Sequence, residues 1–195
     1  MNPRVTELHY VLPIGNVPSV LEHGILSHER AARLRHHAVP MPEVQDGRDV
    51  KSVPQGRALH EYANLYFHAR NPMAFRRTDD ATGLCVLRVS TAVLDQPGTV
   101  IADGNAWSDY VRYLAPSQSD ILNFDDIYAH DWGHPDDPIR AIQHSSRKCA
   151  EVLVPERVEP AYITGAFVAD SNIEETLKSA GFTLPIAIDP SLFRP

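Results

Sequence analysis

Cysteine is scarce in this 195-residue chain: only Cys85 and Cys149 are present. Two thiols cannot build a disulfide framework, and in a reducing compartment each reads as a small buried residue. No apolar run reaches the roughly twenty residues that span a bilayer. The first twelve residues also lack the charged-then-apolar order of a signal peptide, so the expectation is a cytoplasmic protein with no membrane role. Glycine-rich phosphate loops of the G-x-G-x-x-G and G-x-x-x-x-G-K kinds are absent, so any nucleotide must be bound by another geometry. Positive charge is short as well. A net charge of -7 argues against a protein that coats nucleic acid by bulk electrostatics. The ten histidines include no H-E-x-x-H and no Cys-His set. His130 and His134 are four apart, but Gly133 and Pro135 spoil a helix there, so no metal is expected. Ser145, Ser146 and Cys149 lack the context of a nucleophile elbow, which excludes a hydrolase triad.

The 43% hydrophobic content is enough to bury a core, and the length suits one domain over residues 1–195. Charge is unevenly spread. From His28 to Arg77 nine Lys or Arg face five acids, whereas from Thr78 to Arg140 eleven Asp face only Arg88, Arg112 and Arg140. That asymmetry suits a protein that receives a short polyanion on one face, although an uneven solvated surface is the commoner cause.

Periodicity and punctuation predict strands at residues 5–11, 59–67, 84–89, 100–101, 151–154 and 162–168, with an edge strand at 184–188. Helices are predicted over residues 18–23 with a stop at Gly24, over 28–37 with a cap at Ser27, and over 105–114, 120–132 and 172–180, while 139–148 reads as helical or irregular. Residues 39–56, with Pro40, Pro42 and Pro54, read as a long loop, a kind that is usually functional or mobile. Strands scattered among helices without regular alternation favour α+β over a doubly wound sheet.

Two stretches carry the chemistry. Leu59 to Met73 is an aromatic strand that runs into Arg70-Asn71-Pro72-Met73, placing a cation and an amide at a strand end. Far downstream, Glu151 opens the apolar strand Val152-Leu153-Val154, where partial desolvation would suit a carboxylate for acid-base work. On residue types alone, an ion pair with Arg147 or Lys148 is an equally good account of Glu151. Tyr66 and Phe67 offer rings for stacking. Arg70 can meet a phosphate or hold the strand end. Met73 reads as packing, and Arg48 as a loop arginine.

Ala150-Glu151-Val152-Leu153-Val154, the Tyr66-Phe67-x-x-Arg70-x-Pro72-Met73 signature and the amino-terminal Asn16-Val-Pro-Ser-Val-Leu, in that relation, resemble the DarT family, bacterial toxins that ADP-ribosylate single-stranded DNA. The resemblance implies an α+β ADP-ribosyltransferase fold, with two small, roughly perpendicular sheets around an NAD cleft and helices outside. It implies NAD as co-substrate, Glu151 as the catalytic acid-base group, and Arg48, in Arg48-x-x-Lys51-x-Val53, as the base-contacting catalytic arginine. Lys51, Met73 and Arg147 join Arg48 as candidate DNA contacts. Cofactor contacts fall on Asn16, Gly24, Tyr66, Arg70 and the segment His9-Tyr10-Val11-Leu12. The family's His-x-Thr element there aligns with Tyr10 and Leu12 when counted from Asn16, or with His9 after a one-residue shift. The Asn64-to-Asn71 wording is closer to the guanine-modifying branch than to the thymine-modifying one. An antitoxin partner, a macrodomain or NADAR-type hydrolase, is implied. An RNA or protein acceptor, or a non-catalytic NAD- or nucleic-acid-binding module, are the alternatives.

Overall fold

The computed structural model describes residues 2–34, 51–75 and 83–193. Its ten strands are β1 (Leu8–Pro13), β2 (Ile25–Leu26), β3 (Tyr62–Tyr66), β4 (Leu84–Val89), β5 (Val100–Ala102), β6 (Tyr113–Leu114), β7 (Glu151–Pro155), β8 (Arg157–Val158), β9 (Ile163–Val168) and β10 (Ile186–Ile188). The α-helices are α1 (Val17–His23), α2 (His28–Ala31), α3 (Pro72–Phe75), α4 (Phe124–Tyr128), α5 (Pro138–Lys148) and α6 (Ser171–Ser179).

Eight strands join in one sheet of order β10-β9-β4-β1-β3-β7-β5-β6, and β2 pairs with β8 in a second. All pairings are antiparallel except β10 with β9. The architecture is the expected α+β with two sheets, but the sheets are unequal: one extends across eight strands and the other is a two-stranded ribbon.

The strands of the large sheet are apolar on both faces, and each face has its own partners. Leu8 and Leu12 of β1, Leu65 of β3, Leu87 of β4 and Val152 of β7 pack with Val17 and Val20 of α1, Phe124 and Ile127 of α4, and Ile173 and Leu177 of α6. The opposite face carries two smaller clusters. One gathers Val11, Leu84 and Val86 against Leu192 and Phe193, and the other gathers Tyr62, Leu153 and Ala102 against Val53, Leu59 and Ala106. Cys85 and Cys149 are buried free thiols. Burial pushes the Cys85 thiol up to about 12, so it stays protonated and inert.

Several predicted elements shift for local reasons. The 59–67 strand begins only at Tyr62, because Leu59–Glu61 is a 3-10 turn in which Glu61 Oε2 accepts the Ala58 N–H at 3.0 Å. Residues 105–114 are not helical. Asn105 and Ser108 close tight turns, and Tyr113–Leu114 form β6; such side chains compete with helix by bonding nearby backbone. The 120–132 helix is cut to α4, with Asn123 as cap after a 3-10 turn over Pro116–Ile121. The Ser27 cap is present, its Oγ accepting the Arg30 N–H, and α2 spans His28–Ala31, with residues 35–37 outside the described set.

Candidate active site

One register row crosses the large sheet and brings together a histidine, an arginine, a tyrosine and a glutamate of four different strands. Arg88 of β4 pairs with His9 of β1, His9 with Tyr66 of β3, Tyr66 with Glu151 of β7, and Glu151 with Ala102 of β5. Residues directly opposed in antiparallel strands point to the same face with Cβ atoms about 5 Å apart. Sequence separations of more than fifty residues thus collapse into adjacent side chains.

Glu151 is 1% exposed and opens β7. Its Oε1 accepts the Ala106 backbone N–H at 2.9 Å. The two neighbouring cations of the sequence have partners of their own. Arg147 donates to Asp126 Oδ2 at 2.7 Å, and Lys148 donates to the Ile127 carbonyl at 2.8 Å. Asp126 also accepts from Arg140 Nη2 at 2.8 Å. Burial opposes the ionisation of Asp126, but these guanidinium contacts and the nearby His144 outweigh it and hold its carboxyl below the usual range.

His9 is 7% exposed, with Nε2 3.3 Å from Glu7 Oε1. Among the described residues its buried Nδ1 has no hydrogen-bond partner, a costly state that calls for a ligand or water. Glu7 Oε2 also accepts Arg88 Nε at 2.7 Å. Burial works against the Glu7 carboxylate, yet the His9 and Arg88 contacts bring its pKa below the ordinary value. A cavity of about 240 Å³, lined by Glu7, His9, Phe67, His68, Tyr128 and Phe167 among others, opens at this end of the row. Tyr10 and Leu12 lie on the other face and pack with the main core. His9 is therefore the side chain of this segment that reaches the row. Alternation along β1 required one or the other set, and the choice became visible only from the register with Tyr66.

Beside the row, Lys148 is fully buried, with Nζ 2.7 Å from His68 Nδ1. Burial, together with the neighbouring Arg70, lowers the lysine to about 8. Burial and then the Lys148 charge lower His68 from 6.5 to about 3. As pH falls below 6.5 the unfolded chain takes up a proton that folded His68 refuses, so the native state loses stability from about 6.5 down to about 3. His68→Gln is expected to lose less stability than wild type between about pH 7 and pH 5 in urea titrations. Equal losses would mean that folded His68 protonates freely.

The remaining sequence candidates are distributed around the row. Arg70 gives Nε to the His130 carbonyl at 3.2 Å and Nη1 to the Ser191 carbonyl at 2.7 Å. Its guanidinium lies 4.7 Å from the Phe75 ring centroid. These contacts hold the strand end, one of the two roles the sequence leaves open for Arg70. Asn71 Oδ1 caps α3 by accepting from Met73 and Ala74, and Met73 sits half-buried on that helix. Lys51 donates to the Trp107 carbonyl and lies 2.8 Å from Asp109. Asn16 ends the 3-10 turn that follows β1. Gly24 has φ +83°, and a Cβ there would lie 2.2 Å from the Val158 carbonyl oxygen, so backbone geometry alone accounts for the glycine. Arg48 lies outside the described residues. Among the described residues no three His, Cys, Asp or Glu are grouped to hold a metal, and no helix is long and apolar enough to cross a membrane. Sequence reasoning missed Glu7, Arg88 and His68, and weighed Lys148 only as an ion-pair partner of Glu151. Arg88 alone left a signal, as a charged residue inside the apolar run Leu84 to Val89.

Residues 9–194 match the family model described as "ssDNA thymidine ADP-ribosyltransferase, DarT". The chain belongs to the DarT family. A DNA ADP-ribosyl transferase–DNA ADP-ribosyl glycohydrolase fusion protein of Thermosipho africanus (strain H17ap60334) is 33% identical over 207 residues, covering 99% of this chain. This chain spans about half the length of that relative, 50%. The structure of Thermosipho africanus DarTG with ADP-ribose superposes with a TM-score of 0.82 at 30% identity, over 96% of this chain and 51% of that one. Thermus sp. 2.9 DarT in complex with ADP-ribosylated single-stranded DNA gives a TM-score of 0.82 at 20% identity, over 97% of both chains. At that identity the likeness to the Thermus protein speaks for the DarT fold alone.

Proposed function

We propose that this chain transfers ADP-ribose from NAD to a base of single-stranded DNA. The observation that carries the proposal is the row His9–Tyr66–Glu151, which sets a histidine with a bare buried nitrogen, an aromatic ring and a desolvated carboxylate side by side. Membership of the DarT family, and the Thermosipho relative whose structure holds ADP-ribose, support it.

NAD supplies the ribosyl carbon and nicotinamide as leaving group. His9 Nδ1 offers a hydrogen bond to the dinucleotide, and Tyr66 offers a face beside it. Glu151 binds the ribose hydroxyls and stabilises positive charge on the ribosyl carbon as its bond to nicotinamide breaks and the electron pair leaves with the ring. A nitrogen of the acceptor base then bonds to that carbon and passes its proton to Glu151. Arg48, Lys51, Met73 and Arg147 are assigned to the DNA strand, with Arg48 stabilising the anionic base. Asn16, Gly24 and Arg70 shape the NAD side through backbone placement.

The Asn64-to-Asn71 wording favours guanine as acceptor, and the family description names thymidine. The protein acts in the cytoplasm as a toxin, checked by an ADP-ribosyl hydrolase of the kind fused to the Thermosipho relative. The acceptor should be single-stranded, since extruding a base from a duplex costs a few kcal/mol. Labelled NAD offered with DNA oligonucleotides varied one base at a time, their duplexes, RNA and protein is expected to mark single-stranded DNA at one base type. Equal labelling of duplex, or of homopolymers lacking guanine and thymine, would contradict base-specific transfer.

A further inference from the structure

The hairpin joining β5 to β6 is a closed, hydrogen-bonded structure with an unusual tip. Its base is shut by Asp103, whose Oδ1 accepts the Arg112 N–H at 2.8 Å while the Arg112 carbonyl accepts the Asp103 N–H at 3.1 Å. One side is tied to α5 through Asn105 N–H and the Ser146 carbonyl at 3.0 Å. Ala106, fully buried, donates its N–H to Glu151, and its carbonyl accepts from the Tyr113 hydroxyl at 2.7 Å. The next carbonyl, of Trp107, accepts from Lys51. From this anchored frame two large aromatic side chains project into solvent: Trp107, 41% exposed, and Tyr110, 94% exposed.

Folding gives Tyr110 nothing to bury. Its ring stands in water on a turn in which the Tyr110 and Val111 N–H groups bond Ser108 at 3.4 Å and Asp109 pairs with Lys51, so the backbone that carries it is already placed for a partner. The charges nearby are mutually neutralised, Asp103 by Arg112 and Asp109 by Lys51. Beside the strand contact assigned to Lys51, the tip itself therefore adds no net positive charge; what it adds is ring faces. Successive bases of a single strand stack on such faces without regard to sequence. Trp107 is one residue past the amide that touches Glu151, so a strand whose acceptor base reaches that carboxylate must bring its neighbouring nucleotides past the tip.

Resting on the reading of the site as a single-stranded DNA transferase, we propose that Trp107 and Tyr110 form a stacking platform for the bases flanking the acceptor. This makes the hairpin a nucleobase-binding subsite for a single strand and explains how a chain of net charge -7 holds DNA with few phosphate contacts.

The test is fluorescence anisotropy of a labelled single-stranded oligonucleotide in the absence of NAD, which separates binding from transfer. Tyr110→Ala and Trp107→Ala are each expected to weaken binding about 5- to 100-fold, and Tyr110→Phe to retain it. The NAD dissociation constant and the melting temperature of the Tyr110 variants should stay at the wild-type value. Replacing the flanking bases by abasic sites should weaken wild-type binding to a similar extent and weaken Tyr110→Ala, which keeps the Trp107 ring, by a smaller factor. Wild-type binding by Tyr110→Ala and Trp107→Ala, or no response to abasic flanks, overturns the platform even if transfer to DNA is confirmed. Loss of binding in both alanine variants, with abasic sensitivity, sustains the platform even if wild type then transfers nothing.

Discussion

Glu151→Gln is expected to fold, to bind NAD as wild type does, and to lose about 10²- to 10⁴-fold in ADP-ribosyl transfer. The carboxamide is nearly isosteric, and its Oε1 can still accept the Ala106 N–H that Glu151 holds at 2.9 Å. It brings no negative charge to a developing ribosyl cation and takes no proton from a base nitrogen. The loss should fall on kcat, because both interactions belong to the transition state. Calorimetry for NAD and initial rates of DNA labelling separate the two effects. A variant that binds NAD and still labels DNA at the wild-type rate would remove Glu151 from the chemistry.

Gly24→Ala is the second large effect, and it should appear in stability. Gly24 ends α1 at φ +83°, a conformation costly for any residue with a Cβ. The added methyl would stand 2.2 Å from the Val158 oxygen and 3.2 Å from its carbonyl carbon. Both atoms are backbone of β8, so β2 and β8 must separate to make room. A cost of about 2–4 kcal/mol is expected, or roughly 5–15 °C in melting temperature for a chain of this size. Melting curves with and without NAD distinguish the two roles open to Gly24. An unchanged melting temperature with lost NAD binding would make it a cofactor contact instead of the hinge between α1 and the small sheet.

The sequence was most legible where short-range rules and burial agree. Val17–His23 with its glycine stop, the apolar strands at Leu84 and Glu151, and the edge strand ending at Ile188 follow from periodicity and punctuation. It was least legible where distant partners decide. Nothing near Ala106 says that its amide will meet a carboxylate forty-five residues away, and that contact helps turn a predicted helix into a hairpin. The choice between His9 and Tyr10 is of the same kind. Either can align with the family's histidine, and only the pairing of β1 with β3, which sets His9 opposite Tyr66, puts one of them in the row. Arg70 illustrates a third limit. A guanidinium at a strand end invites a phosphate by its chemistry, but its donors go to the His130 and Ser191 carbonyls, which no local pattern announces.

Tandem mass spectrometry of a single-stranded oligonucleotide incubated with the wild-type protein and NAD tests the central claim most directly. One ADP-ribose per modified strand is expected, located by fragmentation on a nucleobase, guanine or thymine, and absent when Glu151→Gln replaces wild type. Unmodified DNA, or ADP-ribose found only on a terminal phosphate, would contradict it.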